Sequence, residues 1–377
     1  MARRPVSADI EELPEADRLE EYPHPRQTEK LFGHVDAERA FAESLSGGRV
    51  HHAWLLAGPK GIGKATLAYR VARAALANPN ERDPLGQSLD VDPNTIAARQ
   101  VRALSHPGLL VIRRPYDVKA KRFATSIPVD EVRRLRNFLG HRAAGDGWRI
   151  VIVDEANELN VNAANALLKS LEEPPSRTVF LLVSSAPGQL VPTIRSRCRM
   201  LALSPLGERD LRTAATQAIT AAGGNPPSDA DWPPLEQLSA GSAGRLLGLL
   251  GAGGLDLQEK INRILGLLPR IDWRTVHTLS DELQPMAAET RFQLFFELLL
   301  DRLSRLIHVT ATGEGAAEDR ALADRLIGEG RLASFAALWE RIAREKADTL
   351  ALNLDRKSLI IETVAALSTA AQDRRPV

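Results

Sequence analysis

The chain has 377 residues, a formal net charge of +1, 44% hydrophobic and 26% charged residues, and only 5% aromatics. These values describe a globular protein of two or three domains whose cores rest on Leu, Ala, Val and Ile, and they exclude a uniformly basic nucleic-acid coat. A single cysteine, Cys198, excludes an internal disulfide and a multi-cysteine zinc module, and it fits a reducing cytoplasm.

Residues 1–28 are charged and proline-containing, with two early arginines but no apolar run, so they do not read as a secretory signal. They are expected to lie over the surface or to be partly disordered. A helix is predicted after Gly33, where Val35, Ala37, Ala40, Phe41 and Leu45 recur at helical spacing until Gly47-Gly48 stops it.

The stretch AWLLAGPKGIGKAT at 53–66 organises the rest. Ala53–Leu56 reads as a buried strand, Gly58-Pro59-Lys60-Gly61-Ile62-Gly63 as a tight turn, and Lys64 opens a helix through Leu67, Val71 and Ala75. A strand, a glycine turn and a helix start together form a cradle whose N–H groups converge on an anion. Gly58, Gly63 and Lys64 match the G-x-x-x-x-G-K spacing, with Gly61 inside the loop. The next position breaks the pattern. Ala65 stands where a hydroxyl would hold magnesium, and Thr66 lies about 100° further around the helix. ATP or ADP binding with weakened magnesium and little turnover is therefore expected; the plainer reading is a glycine turn that binds nothing.

Residues 78–107 look irregular, and Gly108–Ile112 looks like a second strand. After a basic stretch, Arg113 to Arg122, a helix carries Val132, Leu135, Phe138 and Leu139 inward and Arg133, Arg134 and Arg136 outward. Those arginines read either as a solvated face or as contacts to nucleic-acid phosphate. Trp148–Val153 is a third strand ending in Asp154-Glu155, where open α/β sheets place their ligands. The first acid would support magnesium and the second would orient a water; the plainer reading is a solvated strand end. A helix is predicted over 161–172, closed by Pro174-Pro175, then a strand over 179–183 ending in Ser184-Ser185. Arg195, Arg197 and Arg199 precede or enter a last strand. Alternating strands and helices argue for a parallel, doubly wound sheet.

Beyond Leu203 the pattern turns helical. A helix over 205–222, a turn-rich connection over 223–234 and a helix from Gly241 make a small domain at 206–252. Helices are expected near 257–268, 287–309, 319–345 and 350–371. The apolar run from Phe292 to Leu300 is interrupted by Glu297 and too short for a bilayer, so no membrane contact is expected.

Taken together, Leu31-Phe32-Gly33-His34, HHAWLLAGPKGIGKATLAYR at 51–70, VIVDEA at 151–156, AANALLKSLEEPP at 163–175 and IRSRCR at 194–199 resemble the clamp-loader subunits of the AAA+ class, the delta-prime subunits of bacterial DNA polymerase III most closely. LNLDRKSLIIET at 352–363 resembles the family's last collar helix more weakly. The resemblance implies an AAA+ α/β domain with a parallel sheet over 29–205, a helical lid over 206–252 and an all-α collar over 256–377, behind an N-terminal extension at 1–28. It implies that Lys64 and its glycines bind phosphate, that Asp154 and Glu155 are the magnesium and water-polarising acids, and that Ser184 or Ser185 ends the sensor strand. It implies that Arg245, in GSAGR, is the lid's second sensor and that Arg197 is an arginine finger for a neighbouring subunit's ATP site. Without the resemblance Arg197 would read as an ordinary surface arginine. The four-cysteine zinc module usual after the family's phosphate-loop helix is absent from 78–107, so no structural zinc is expected.

These readings converge on a non-motor, cytoplasmic loader subunit with other loader subunits, a sliding clamp and primed DNA as partners. An ATP-hydrolysing motor subunit of the same loader is the first alternative. A small-molecule kinase, the second, lacks an acceptor-binding constellation in the sequence.

Overall fold

Four of the five strands in the main sheet are almost wholly apolar, as strands covered by helices on both faces must be. In the computed structural model, residues 13–19, 21–48, 50–83, 85–140, 147–328 and 330–372 are described. The strands are β1 (Ala53–Ala57), β2 (Leu109–Ile112), β3 (Tyr116–Asp117), β4 (Arg122–Phe123), β5 (Arg149–Val153), β6 (Thr178–Ser184) and β7 (Arg199–Ala202). The main sheet runs β2-β5-β6-β1-β7 with every pair parallel, and β3-β4 forms a separate antiparallel hairpin. Because every pair is parallel, the carboxyl ends of β1, β5 and β6 share one rim, and the chain leaves β1 there to cross to the far edge at β2. That rim is where an open parallel sheet holds ligands.

The chain divides into two units, 1–247 and 248–377. The first contains α1 (Val35–Ser46), α2 (Lys64–Leu76), α3 (Ile96–Arg102), α4 (Val129–Gly140), α5 (Val161–Glu172), α6 (Pro192–Arg195), α7 (Glu208–Ala221), α8 (Trp232–Ser239) and the start of α9 (Ala243–Gly251). Strand alternation sorts its core into two layers. Trp54, Leu56, Ile150, Ile152 and Leu181 pack with Phe41, Leu67 and Val71 on one face. Leu55, Val151, Val153, Phe180 and Leu182 pack with Val132, Leu135, Leu167 and Leu171 on the other. The doubly wound sheet expected from the sequence is therefore present.

The second unit is helical: α10 (Gly254–Leu267), α11 (Trp273–Leu283), α12 (Glu289–Thr312), α13 (Ala317–Leu326), α14 (Leu332–Leu352) and α15 (Arg356–Gln372). α12 is its spine, packing on α10, α13 and α14 through Phe292, Phe296, Leu299, Leu303 and Leu306. Among the described residues no helix is long and apolar enough to cross a membrane.

Several elements differ from expectation. Within 78–107, Thr95 caps a real helix, accepting from Ala98 N at 3.2 Å, and α3 buries Ala97, Ala98 and Val101. Pro233 and Pro234 do not break structure; they occupy the first turn of α8, where a missing N–H costs nothing. The single helix expected over 319–345 is two, because Gly328 adopts φ +52° between α13 and α14. α11, capped by Asp272 at Thr275 N, is an addition to the expected helices. The basic stretch after β2 forms the β3–β4 hairpin, with Tyr116 edge-on to Phe123 at 5.2 Å.

The N-terminal segment is more deeply integrated than its composition implied; residues 1–12 lie outside the described residues. His24 is fully buried, and its Nε2 lies 3.0 Å from the Asp17 carboxylate. Arg113, just after β2, donates to Asp17 Oδ1 at 2.5 Å and to Glu15, while Arg26 donates to Glu15 at 2.5 Å. Burial pushes the Asp17 carboxyl up, but His24 and Arg113 outweigh it and hold it below the usual range. From α2, Arg73 donates to Arg26 O at 2.9 Å and Thr28 O at 2.7 Å. Charge pairing therefore anchors a segment too polar to anchor itself by apolar burial.

Candidate functional site

The loop between β1 and α2 needs glycine at three positions, with φ +151° at Gly58, +78° at Gly61 and +109° at Gly63. A Cβ at Gly58 would lie 2.4 Å from Leu203 O, and one at Gly61 2.5 Å from Ser242 Oγ. The loop ends on the amino terminus of α2, so its N–H groups and the helix dipole favour an anion there.

Lys64 is buried, and its Nζ donates to Gly58 O at 2.8 Å and Pro59 O at 2.6 Å. Burial lowers its pKa, while Glu155 and Asp154 raise it. Asp154, buried at the end of β5, is pushed up to about 8 by burial, then by Asp17 and Glu155, against the opposing pull of Lys64. The N-terminal segment thus brings a carboxylate into the electrostatic surroundings of the β5 acid, which no linear motif announces.

Glu155 sits at φ +52°, a costly conformation for a residue with a side chain. Its Oε2 accepts from Ser185 Oγ at 2.7 Å and Ser185 N at 3.1 Å. Asn157 Oδ1 accepts from Ser184 Oγ at 2.8 Å. Ser184 O in turn accepts from Gly58 N at 3.3 Å. Loop, acids and serines form one connected rim. Asn157 was missed because only the fold brings it to the end of β6.

The segment preceding α9 is bonded directly to the loop. Ser242 Oγ donates to Lys60 O at 2.8 Å, and Gly244 N donates to Gly61 O at 2.8 Å. Arg245 N donates to Ser242 Oγ at 3.1 Å, which places Arg245 in the first turn of α9 beside the loop. A Cβ on Gly244 would sit 2.8 Å from Gly61 Cα. Gly244→Ala is therefore expected to destabilise the protein by about 1–3 kcal/mol, as overpacking does. Gly248→Ala, where nothing lies within 4 Å of a would-be Cβ, should not. Urea midpoints of the two variants check this.

Ala65 and Thr66 occupy the first turn of α2, both half-buried. The donor set fits a phosphate chain, but Ala65 offers no oxygen for a metal. Among the described residues no group of three or more His, Cys, Asp or Glu could hold a metal ion. His34 Nε2 donates to Ile62 O at 2.8 Å, tying the segment before α1 to the same loop.

Arg197 stands apart from this rim. It follows α6, and its Nη2 donates to Glu172 Oε1 at 2.7 Å and its Nη1 to Thr193 O at 2.9 Å. The side chain is 35% exposed. On α4, Arg133 pairs with Asp130 at 2.7 Å and Arg134 with Glu131 at 2.6 Å, so two of its three outward arginines are neutralised on their own helix.

The family model described as "DNA polymerase III, delta subunit" matches residues 33–207, the span that carries the sheet and loop. A DNA polymerase III subunit delta' of Pseudomonas aeruginosa is 40% identical over 163 residues, which cover 43% of this chain and 46% of the relative. A DNA polymerase III subunit gamma/tau of Mycobacterium tuberculosis is 29% identical over 281 residues, 72% of this chain and 44% of the relative. The chain thus spans under half the length of both. A DNA polymerase III subunit delta' of Escherichia coli is 32% identical over 272 residues, 72% of this chain and 75% of the relative. With that extent of shared sequence on a doubly wound sheet and phosphate loop, the chain belongs to the family of DNA polymerase III delta' subunits.

Proposed function

We propose that this chain is a non-motor subunit of the DNA polymerase III clamp loader, which lends Arg197 to a neighbouring subunit's ATP site and helps load a sliding clamp on primed DNA in the cytoplasm. The observation that carries the reading is the placement of Arg197. Its guanidinium engages Glu172 and Thr193 at the surface rather than the phosphate loop of its own chain. An exposed ion pair of this kind is worth about 0–1 kcal/mol, so a partner's phosphate can displace Glu172 cheaply.

In this reading Gly58, Gly61, Gly63 and Lys64 grip the phosphates of ATP or ADP, with Ala65 and Thr66 beneath them on α2. Ser184 and Arg245 sense the nucleotide from β6 and α9. Asp154 and Glu155 stand beside the phosphates, but Ala65 removes the hydroxyl that would complete a magnesium site. When bound, the metal would offset charge on the phosphates; the chain itself contributes grip more than cleavage.

A motor subunit is the second reading, favoured by the similarity to gamma/tau subunits and by the intact pair Asp154-Glu155 beside Lys64. Ala65→Ser separates the two. A non-motor chain binds ATP with little turnover, and the restored hydroxyl raises turnover by an order of magnitude or more. If the unaltered chain hydrolyses ATP briskly and Ala65→Ser changes nothing, the non-motor assignment fails.

A further inference from the structure

The basic stretch from Arg113 to Arg122 splits in two once its partners are known. Arg113 is neutralised by Asp17 and Glu15, and Arg114 by Glu158 at 2.6 Å. Lys119, Lys121 and Arg122 lie exposed on the β3–β4 turn, and among the described residues no carboxylate pairs with them. The one acid of the turn, Asp117, spends its Oδ1 accepting from Lys119 N at 2.8 Å and Ala120 N at 3.0 Å. Asp117 therefore shapes the loop that carries the lysines.

The base of the turn is also tied together. Ala124 N donates to Pro115 O at 2.9 Å below it, Tyr116 meets Phe123 edge-on, and Arg114 lies over the Phe123 ring at 5.9 Å. Lys121 adopts φ +50°, a conformation that a glycine would take at lower cost. The sequence left the α4 arginines open as either a solvated face or phosphate contacts, and two of them are satisfied locally. Unneutralised charge is concentrated on the hairpin instead, on a preformed loop that loses little freedom on binding.

We propose that the β3–β4 turn, through Lys119, Lys121 and Arg122, is a contact for the sugar-phosphate backbone of DNA. The proposal rests on the loader reading above. A phosphate backbone suits three cations with no shared hydrogen-bond geometry, because it offers a line of charge rather than a shaped pocket. Val118, 59% exposed on the same turn, is the residue that a protein partner would use instead.

The test is binding of the assembled loader to a fluorescent primed template across a salt series. Each lost phosphate contact lowers the slope of log affinity against log salt by about 0.9 on duplex and about 0.7 on single strands. Lys119→Ala/Lys121→Ala/Arg122→Ala should therefore flatten the slope by about 2–3 and weaken binding by about tenfold or more near physiological salt. Lys121→Gly should remove about one contact while its unfolding midpoint holds or rises, which separates lost charge from lost structure. Unchanged slope and affinity in the triple variant overturn the proposal. So does a triple variant that fails to join the loader, a loader carrying it that binds DNA normally but no longer captures the clamp, or a loss of assembly or clamp capture in Val118→Ser, since each assigns the turn to a protein. A loader with the unaltered chain that does not bind primed DNA defeats the functional reading itself, and that outcome is seen before any substitution is made.

Discussion

Replacing Arg197 by Ala is expected to lower the DNA-dependent ATPase of the assembled loader by about 10²–10³-fold at the site that receives the finger, while assembly stays intact. A finger supplied in trans contributes roughly 10³–10⁵ in the best-studied nucleotide hydrolases, and losing one pre-aimed stabilising group costs about 10²–10³. The stability of the chain should barely change, because the Arg197–Glu172 pair is partly exposed. Arg197→Lys should recover only part of the rate, since an ammonium keeps the charge and loses the planar fork. Glu172→Ala, which frees the guanidinium, should leave the rate near its original value. Single-turnover hydrolysis with size-exclusion of the same samples reads both quantities. Full activity in an intact complex carrying Arg197→Ala would remove this residue from the mechanism.

Asp154→Asn is expected to stabilise the chain, increasingly so as the pH rises. The Asp154 carboxyl moves from an ordinary value of 3.8 to about 8 on folding, chiefly through burial. Between those two values the folded chain holds a proton that the unfolded chain has released, so the aspartate erodes stability as pH climbs through that window. Asparagine has no such proton. The gain should therefore be small near pH 4 and level off above about pH 8. It reaches several kcal/mol there, because each tenfold change in proton affinity is worth about 1.4 kcal/mol. Urea unfolding at both ends of the window, with chelator present, makes the measurement. An equal effect at both ends would show that Asp154 ionises as freely folded as unfolded. The same substitution removes an acid from the site, so a chain optimised for stability alone would not have kept it.

The strands of the main sheet were legible because parallel pairing buries both faces, and an unbroken apolar run such as Trp54–Ala57 or Ile150–Val153 has few other fates. The phosphate loop was legible because its backbone demands glycine at fixed intervals. What stayed hidden depended on partners distant in sequence. Asn157 and Ser185 find their partners only when β5 and β6 lie side by side. His24 carries no apolar periodicity that would announce burial, and its burial goes with Arg113, 89 residues away, meeting Asp17 and His24. Proline misled at α8 because the residue that ends one helix can open another. The α4 arginines looked available because the acids that satisfy them sit one turn back, where a face-by-face reading sets them aside.

The two bonds from the α9 side fix more than a distance. A trans peptide points its carbonyl and its N–H in opposite directions. Holding Lys60 O toward Ser242 and Gly61 O toward Gly244 therefore turns the N–H groups of Gly61 and Ile62 away from those partners. The peptide planes act as vanes with a hand on one edge. Any displacement of that hand rotates the opposite edge, so an anion held by these amides would feel it without the domain having to close around it.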